Sequence, residues 1–301
     1  MSPLRSVSPR RERDKEIAST GAADSLQAGS HMSRRRFIAS LGLGVFALVT
    51  GVGVTGVYRF EIEMQRRLLE GLRRRVRVVL LTDMHYGPYI RSGSVRAWVD
   101  AALEANPELI LLGGDIVDFA APRSLDPLLV ELERLSAPLG TYAVWGNHDV
   151  RHFDDRLQAF EATLGSVGIR VLRNAGTLVR EDVYLAGIDD FRVGRPDLTA
   201  ALADRPSNAA CVLVSHNPDV LPMVPTSVDL TLCGHTHGGQ IRLPGIGPLV
   251  TSSSYGRRFA AGWVSAPALG YVSRGLGVAQ VPLRIDCPAE LTVMDLLSTT
   301  A

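Results

Sequence analysis

"VRVVLLTDMHYG", residues 76–87, is an apolar run that breaks off into an aspartate and a histidine. Its β-branched and leucine residues predict a buried strand over 76–82, with Asp83 and His85 just past its carboxyl end. The same form returns downstream in "ELILLGGDIVD" (108–118), "GTYAVWGNHDV" (140–150), "AACVLVSHNPD" (209–219) and "VDLTLCGHTH" (228–237). "VYLAGI" (183–188) is a further strand. Between these runs lie helical patterns. "SGSVRAWVDAALEAN" (92–106) places Val95, Trp98, Val99, Ala102 and Leu103 at helical spacing. Helices are also predicted over 124–136, 154–164, 197–203 and 218–224. Such alternation predicts an α/β fold with largely parallel strands. The glycine- and proline-rich portion from 240 to 297 supplies short strand-like runs for a second sheet packed on the first.

The chain has 301 residues, 46% of them hydrophobic, with a formal net charge of +1. These values describe a globular body and exclude a generic binder of nucleic acid or other polyanions. Cys211, Cys233 and Cys287 are too few and too scattered for a disulfide framework or a thiolate zinc site. Cys211 and Cys233, inside apolar runs, read as small buried hydrophobes.

The amino-terminal part reads differently. Residues 1–32 are polar, charged and poor in aromatics, the composition of a disordered extension; "GSHM" at 29–32 has the form of a cloning remnant. Phe37 to Tyr58 contains no charged residue. At about 1.5 Å per helical residue it is long enough to cross a hydrocarbon layer of about 30 Å. Ser33, Arg34, Arg35, Phe37 and Ile38 resemble a twin-arginine export signal. Residues 33–58 are therefore expected to be a signal or membrane anchor, with the twin-arginine translocase as a partner. Residues 59–75, rich in arginine, are expected to be a basic linker beside the membrane, and 76–297 the catalytic domain. Arginines flank the apolar run on both sides, so charge asymmetry does not orient it. The expected location of the body is outside the cytoplasm; the cytoplasmic face of the membrane is the alternative.

The chemistry gathers where strands end: Asp83 and His85, then Asp115 and Asp118, then Asn147 and His148, then His216, then His235 and His237. Ligands of open α/β sheets bind at this carboxyl edge, and five of the seven histidines fall there. His235 and His237 alternate, so an extended backbone would turn both to one face. Singly, each segment also has a structural reading: an Asx turn, a glycine-led loop with φ > 0, a helix cap at Asp118, a surface histidine at 216. Taken together they read as a metal site. Carboxylate, imidazole and amide donors without thiolate suit Mn, Fe or Zn. Their number suits two divalent ions sharing Asp115.

In this order, D-x-H, G-D-x-x-D, G-N-H-D, a single histidine and G-H-T-H resemble the calcineurin-like metallophosphoesterases over about residues 76–297. "GHTHGGQIRLP", "SHNPD", "LAGIDD" and "YVSRGLG" resemble a bacterial membrane-associated branch that includes twin-arginine-exported phosphodiesterases. The resemblance implies two packed mixed β-sheets flanked by helices. It implies Asp83, His85 and His237 on one metal, Asn147, His216 and His235 on the other, and Asp115 between them. His148 would stand beside the leaving group, and Asp118 would orient it. Where members acting on phosphoproteins carry an arginine after the second aspartate, this chain has Phe119. That departure moves the expected substrate from phosphomonoesters to diesters, lipid- or wall-linked if the body sits at a membrane.

The expected reaction is hydrolysis by a metal-bridging hydroxide, since metal coordination can bring the pKa of water to about 7, with His148 returning a proton to the leaving group. Two other readings use the same residues. One is a cytoplasm-facing pyrophosphatase of the UDP-diacylglucosamine type, in lipid biosynthesis. The other is a non-catalytic, metal-stabilised envelope protein.

Overall fold

In the computed structural model, which describes residues 56–299, the chain begins with β1 (Phe60–Leu69) and β2 (Val76–Leu81). It then alternates through α1 (Ser92–Glu104), β3 (Leu109–Leu112), α2 (Asp126–Leu132), β4 (Thr141–Ala143), α3 (Asn147–Phe153), α4 (Leu157–Ser166) and β5 (Ile169–Val171). The second half runs through β6 (Ala175–Arg180), β7 (Val183–Gly187), α5 (Leu198–Leu202), β8 (Ala210–Val214) and β9 (Leu230–Cys233). Short β10 (Arg242–Leu243), β11 (Gly247–Pro248), β12 (Gly262–Ser265) and β13 (Leu269–Val272) follow, and β14 (Ala289–Ser298) closes the fold.

Two six-stranded sheets result, in the orders β1-β14-β2-β3-β4-β5 and β12-β13-β9-β8-β7-β6. Strands β2 to β5 are parallel, as are β7, β8, β9 and β13. Alternation along β2 shows how the layers form. Val76, Val78 and Leu80 turn between the sheets and meet Leu185, Val212 and Leu232 of the second sheet. Val79 and Leu81 face the other way, against Val95, Trp98 and Val99 of α1. Each such side chain, fully buried, contributes about 1.5–3 kcal/mol. The outer face of the second sheet is covered in the same manner: Tyr184 and Ala186 pack with Ala201 of α5. Two mixed sheets flanked by helices are thus what the apolar runs dictate.

Several expectations change. The region read as a basic linker, 59–75, carries β1, which pairs in parallel with β14 from Phe60↔Ala289 to Leu69↔Ser298. Charged side chains are the usual dress of a sheet edge, and here they disguise a strand. Residues 218–224 form a 3₁₀ segment, Pro218–Met223, because Pro222 has no N–H to donate. "GNHD" is no glycine-led loop with φ > 0: Gly146 has φ −102° and precedes α3 directly. The extension (1–32) and all but residues 56–58 of the signal or anchor (33–58) lie outside the described residues. Among the described residues no helix is long and apolar enough to cross a membrane.

Candidate metal centre

The five strand-end segments converge. Asp83 and His85 follow β2, Asp115 and Asp118 follow β3, and Asn147 and His148 open α3 just after β4. His216 follows β8, while His235 and His237 follow β9. Asp83, His85 and His237 bring one donor atom each within 4.8 Å of one another, and so do Asp115, His216 and His235. Asp115 joins the two groups, its Oδ2 lying 3.1 Å from His216 Nε2 and 3.5 Å from His85 Nε2. A third group is His85, Asp118 and His148. There, Asp118 Oδ2 lies 3.5 Å from Nδ1 of each ring.

The geometry of the two late histidines differs from the extended reading. Strand β9 ends at Cys233, and His235 (φ 72°) and His237 (φ 52°) both have left-handed backbones. The turn sends them apart. His235 Nδ1 faces His216 Nε2 at 3.2 Å, whereas His237 Nε2 faces His85 Nε2 at 3.0 Å. Asp83 (φ 55°), His85 (φ 49°) and Asp115 (φ 49°) share the same unfavourable backbone region. Such conformations cost roughly 1–3 kcal/mol each and collect where function over-determines them.

Glycines let the loops close on one another. A β-carbon at Gly146 would lie 2.2 Å from Asp115 Oδ1, and one at Gly234 would lie 2.2 Å from Asp83 Oδ2. Backbone amides then fix the carboxylates. His235 N donates to Asp83 Oδ1 (2.9 Å), and His148 N donates to Asp115 Oδ1 (2.7 Å). His216 Nδ1–H donates to the Gly113 carbonyl at 2.9 Å, which turns Nε2 to Asp115. Although burial opposes a charge on the ring, Asp115 outweighs it and pushes the His216 pKa up to about 10.

Three features fit divalent cations. Asp83, Asp115 and Asp118 are all buried, and among the described residues they pair with histidines and not with lysine or arginine, so three carboxylates share one buried pocket, where charge is costly. Asn147 Oδ1 is buried with no donor. The His85 and His237 Nε2 atoms meet at 3.0 Å, with Asp83 Oδ1 3.4 Å from the second and Asp115 Oδ2 3.5 Å from the first. The electrostatics agree. Burial, reinforced by His216, pushes the His235 pKa down to about 3, and burial with His85 holds His237 well below the usual histidine range. Both are neutral imidazoles. Burial opposes ionisation of Asp115, but His216 and His85 outweigh it and hold its carboxyl well below the usual range.

Asp118 caps no helix. Its Oδ1 accepts from Ala120 N at 2.8 Å, and His216, almost fully buried, is no surface histidine. Phe119 stacks on His148 with ring centroids 4.5 Å apart.

Two residues without an expected role prove structural. Asp149 accepts from Val117 N (2.9 Å) and Gly146 N (3.0 Å), clasping the loop after β3 to the start of α3. Burial and Asp115 push its pKa up to about 7. Asp149→Ala would strand two buried N–H groups at about 1–3 kcal/mol each. A clear drop in the urea midpoint is the expected result, and an unchanged midpoint would remove the clasp from the account. Arg284, buried, donates to the carbonyls of Gly277, Cys287, Arg274 and Gly275 and lies 3.5 Å from His237 Nδ1.

The calcineurin-like phosphoesterase family matches residues 76–239. The chain belongs to that family. It is 30% identical to the metallophosphoesterase YkuE of Bacillus subtilis over 89% of this chain and 99% of that one. It is 31% identical to the phosphodiesterase YaeI of Escherichia coli over 73% of this chain and 82% of that one. A transmembrane protein with metallophosphoesterase domain from Danio rerio is 30% identical over 83% of this chain and 59% of its own length. The chain is accordingly a metal-dependent phosphoester hydrolase, and the Asp, His and Asn groups described above could bind the divalent metals that the family uses.

Proposed function

We propose that this hydrolase is a phosphodiesterase with two divalent ions, acting beside a membrane. Asp83, His85 and His237 hold one ion, Asn147, His216 and His235 the other, and Asp115 is shared. The observation that carries this reading is the position of Asp115 Oδ2, within 3.5 Å of a histidine from each group. Two ions there would supply Lewis acidity, neutralising charge on the phosphoryl oxygens and acidifying water.

The chain's own groups do the rest. His148 delivers a proton to the departing alkoxide, and Asp118 turns the ring towards it through Nδ1. Phe119 holds the ring from its other face without adding positive charge. The neutral residue suits a diester, with its single negative charge, better than a doubly charged monoester. A cavity of about 230 Å³ beside His237, with walls from Ile241, Leu249, Val250 and Val281, suits an apolar ester arm such as that of a lipid. The Escherichia coli relative named as a phosphodiesterase supports the reaction type. The transmembrane relative and the uncharged run 37–58 support the membrane, and the twin-arginine-like residues support export.

The test is hydrolysis of bis-p-nitrophenyl phosphate and p-nitrophenyl phosphate by the full chain, with Mn, Fe or Zn added singly. The diester is expected to be the faster substrate. Preference for the monoester would remove the diester assignment, and inertness towards both with every ion would remove the dinuclear reading.

A further inference from the structure

Two arginines border the centre, and they differ in what their donors already hold. Arg284 is buried and spends its guanidinium on backbone carbonyls at 2.7 to 3.2 Å. Arg192 is exposed and makes no ion pair among the described residues. Its Nη1 lies 3.4 Å from His235 Nε2.

With the ring proton on Nδ1, Nε2 accepts from that guanidinium; with Nδ1 on a metal it cannot. His235 turns Nδ1 towards His216 Nε2 at 3.2 Å. When Nδ1 serves as the ligand atom, the ring proton sits on Nε2. Arginine has donors only, so donor then faces donor and the guanidinium lacks an acceptor. The loop that presents it is nevertheless firmly built. Asp190, fully buried, accepts from Arg192 N (2.9 Å) and Val193 N (2.8 Å) through Oδ1. Asp189, also buried, accepts from Asp190 N (3.0 Å), Arg195 N (3.0 Å) and Arg173 Nη2 (2.9 Å). Two buried carboxylates thus fix the backbone on either side of one unpaired cation at the rim.

We propose that Arg192 clamps the substrate: its guanidinium leaves His235 and pairs with the non-bridging oxygens of the phosphoester held at the centre. The inference rests on the reading of that centre as the phosphoester site. Phosphate oxygens match the planar guanidinium fork in two places. The clamp enters from the loop after β7, on the second sheet, while Phe119 occupies the rim on the side of the first.

The test compares Arg192→Ala and Arg192→Lys with the wild-type full chain. It measures bound metal, the Kd of inorganic phosphate by calorimetry on the metal-loaded protein, and KM and kcat on a diester. A charge-assisted hydrogen bond is worth about 1.5–3 kcal/mol, or roughly ten- to a hundredfold in affinity. Arg192→Ala should raise both the phosphate Kd and KM by that factor with metal content and unfolding midpoint unchanged, and Arg192→Lys should recover part of the loss. Wild-type phosphate affinity and KM in Arg192→Ala would overturn the clamp while leaving the centre intact. Metal loss in step with weaker phosphate binding would overturn it too, by making Arg192 a support for His235. A wild-type protein that binds metal but neither binds phosphate nor cleaves esters would instead bring down the reading of the centre, and the clamp with it.

Discussion

Asp115→Asn is expected to reduce turnover about 10³-fold or more and to abolish stabilisation by metal. The variant keeps the shape of the side chain and an oxygen that can accept from His148 N, which approaches Oδ1 at 2.7 Å. What it removes is the charge at Oδ2, between His216 and His85. If that atom is shared by both ions, its loss weakens both at once. A loss of about 4 kcal/mol in transition-state stabilisation corresponds to the stated factor.

The stability arm gives a second, independent reading. A ligand at 100 times its Kd that binds only the native state adds about 2.7 kcal/mol to the unfolding free energy. Wild-type protein should show this gain as metal is titrated, and Asp115→Asn should show little. Without metal the gap should be smaller and keep the same sign. Burial raises the Asp83 pKa and Asp115 adds to it, a repulsion that the amide relieves. The amide also loses the attraction to His216 and His85 that, against burial, holds the Asp115 carboxyl well below its usual range. Thermal unfolding with and without Mn, together with metal analysis, checks both statements. Two ions bound normally in an inactive Asp115→Asn would end the shared-ligand assignment.

The parts of this arrangement that sequence made legible are those governed by burial. Runs such as 78–81 and 109–112 contain no polar residue, which marks them as interior strands, and the polar residues that follow each must lie at a sheet edge. The convergence of Asp83, Asp115, Asn147, His216 and His235 follows from that rule. Strand β1 escaped because an edge strand need not be apolar, and its arginines resemble a membrane-proximal cluster. The directions of His235 and His237 escaped for another reason. Alternation holds only in extended chain, and the sequence Gly-His-Thr-His does not announce left-handed residues at 235 and 237. Arg192 was within reach of the same strand-end rule. Strand β7 ends at Gly187, and "IDDFR" follows it directly; two adjacent aspartates at a carboxyl edge carry the same signal as Asp-x-His. Arg284, a single arginine in an irregular segment and bound to carbonyls distributed along the chain, has no comparable signature.

His148→Ala should leave both metals bound and lower turnover by about 10²–10⁴, the range for a lost general acid, but only when the leaving group needs a proton. An alkyl ester departs as a strongly basic alkoxide and depends on the donor. A nitrophenyl ester departs as a weakly basic anion and does not. The two substrates therefore separate proton delivery from everything else the ring does. That separation matters because His148 is also a packing residue: it stacks on Phe119 and meets the edge of His85 at 4.4 Å. A loss confined to packing would loosen His85 and lower both rates together, with metal lost in parallel. Burial opposes a proton on His148, and Asp118 beside its Nδ1 more than offsets this, so the ring pKa lies above the ordinary histidine value. Asp118→Asn keeps the ring in place while removing that support, and should reproduce a smaller part of the alkyl-selective loss. Equal losses on both esters in His148→Ala would leave the ring a structural role and return proton delivery to solvent.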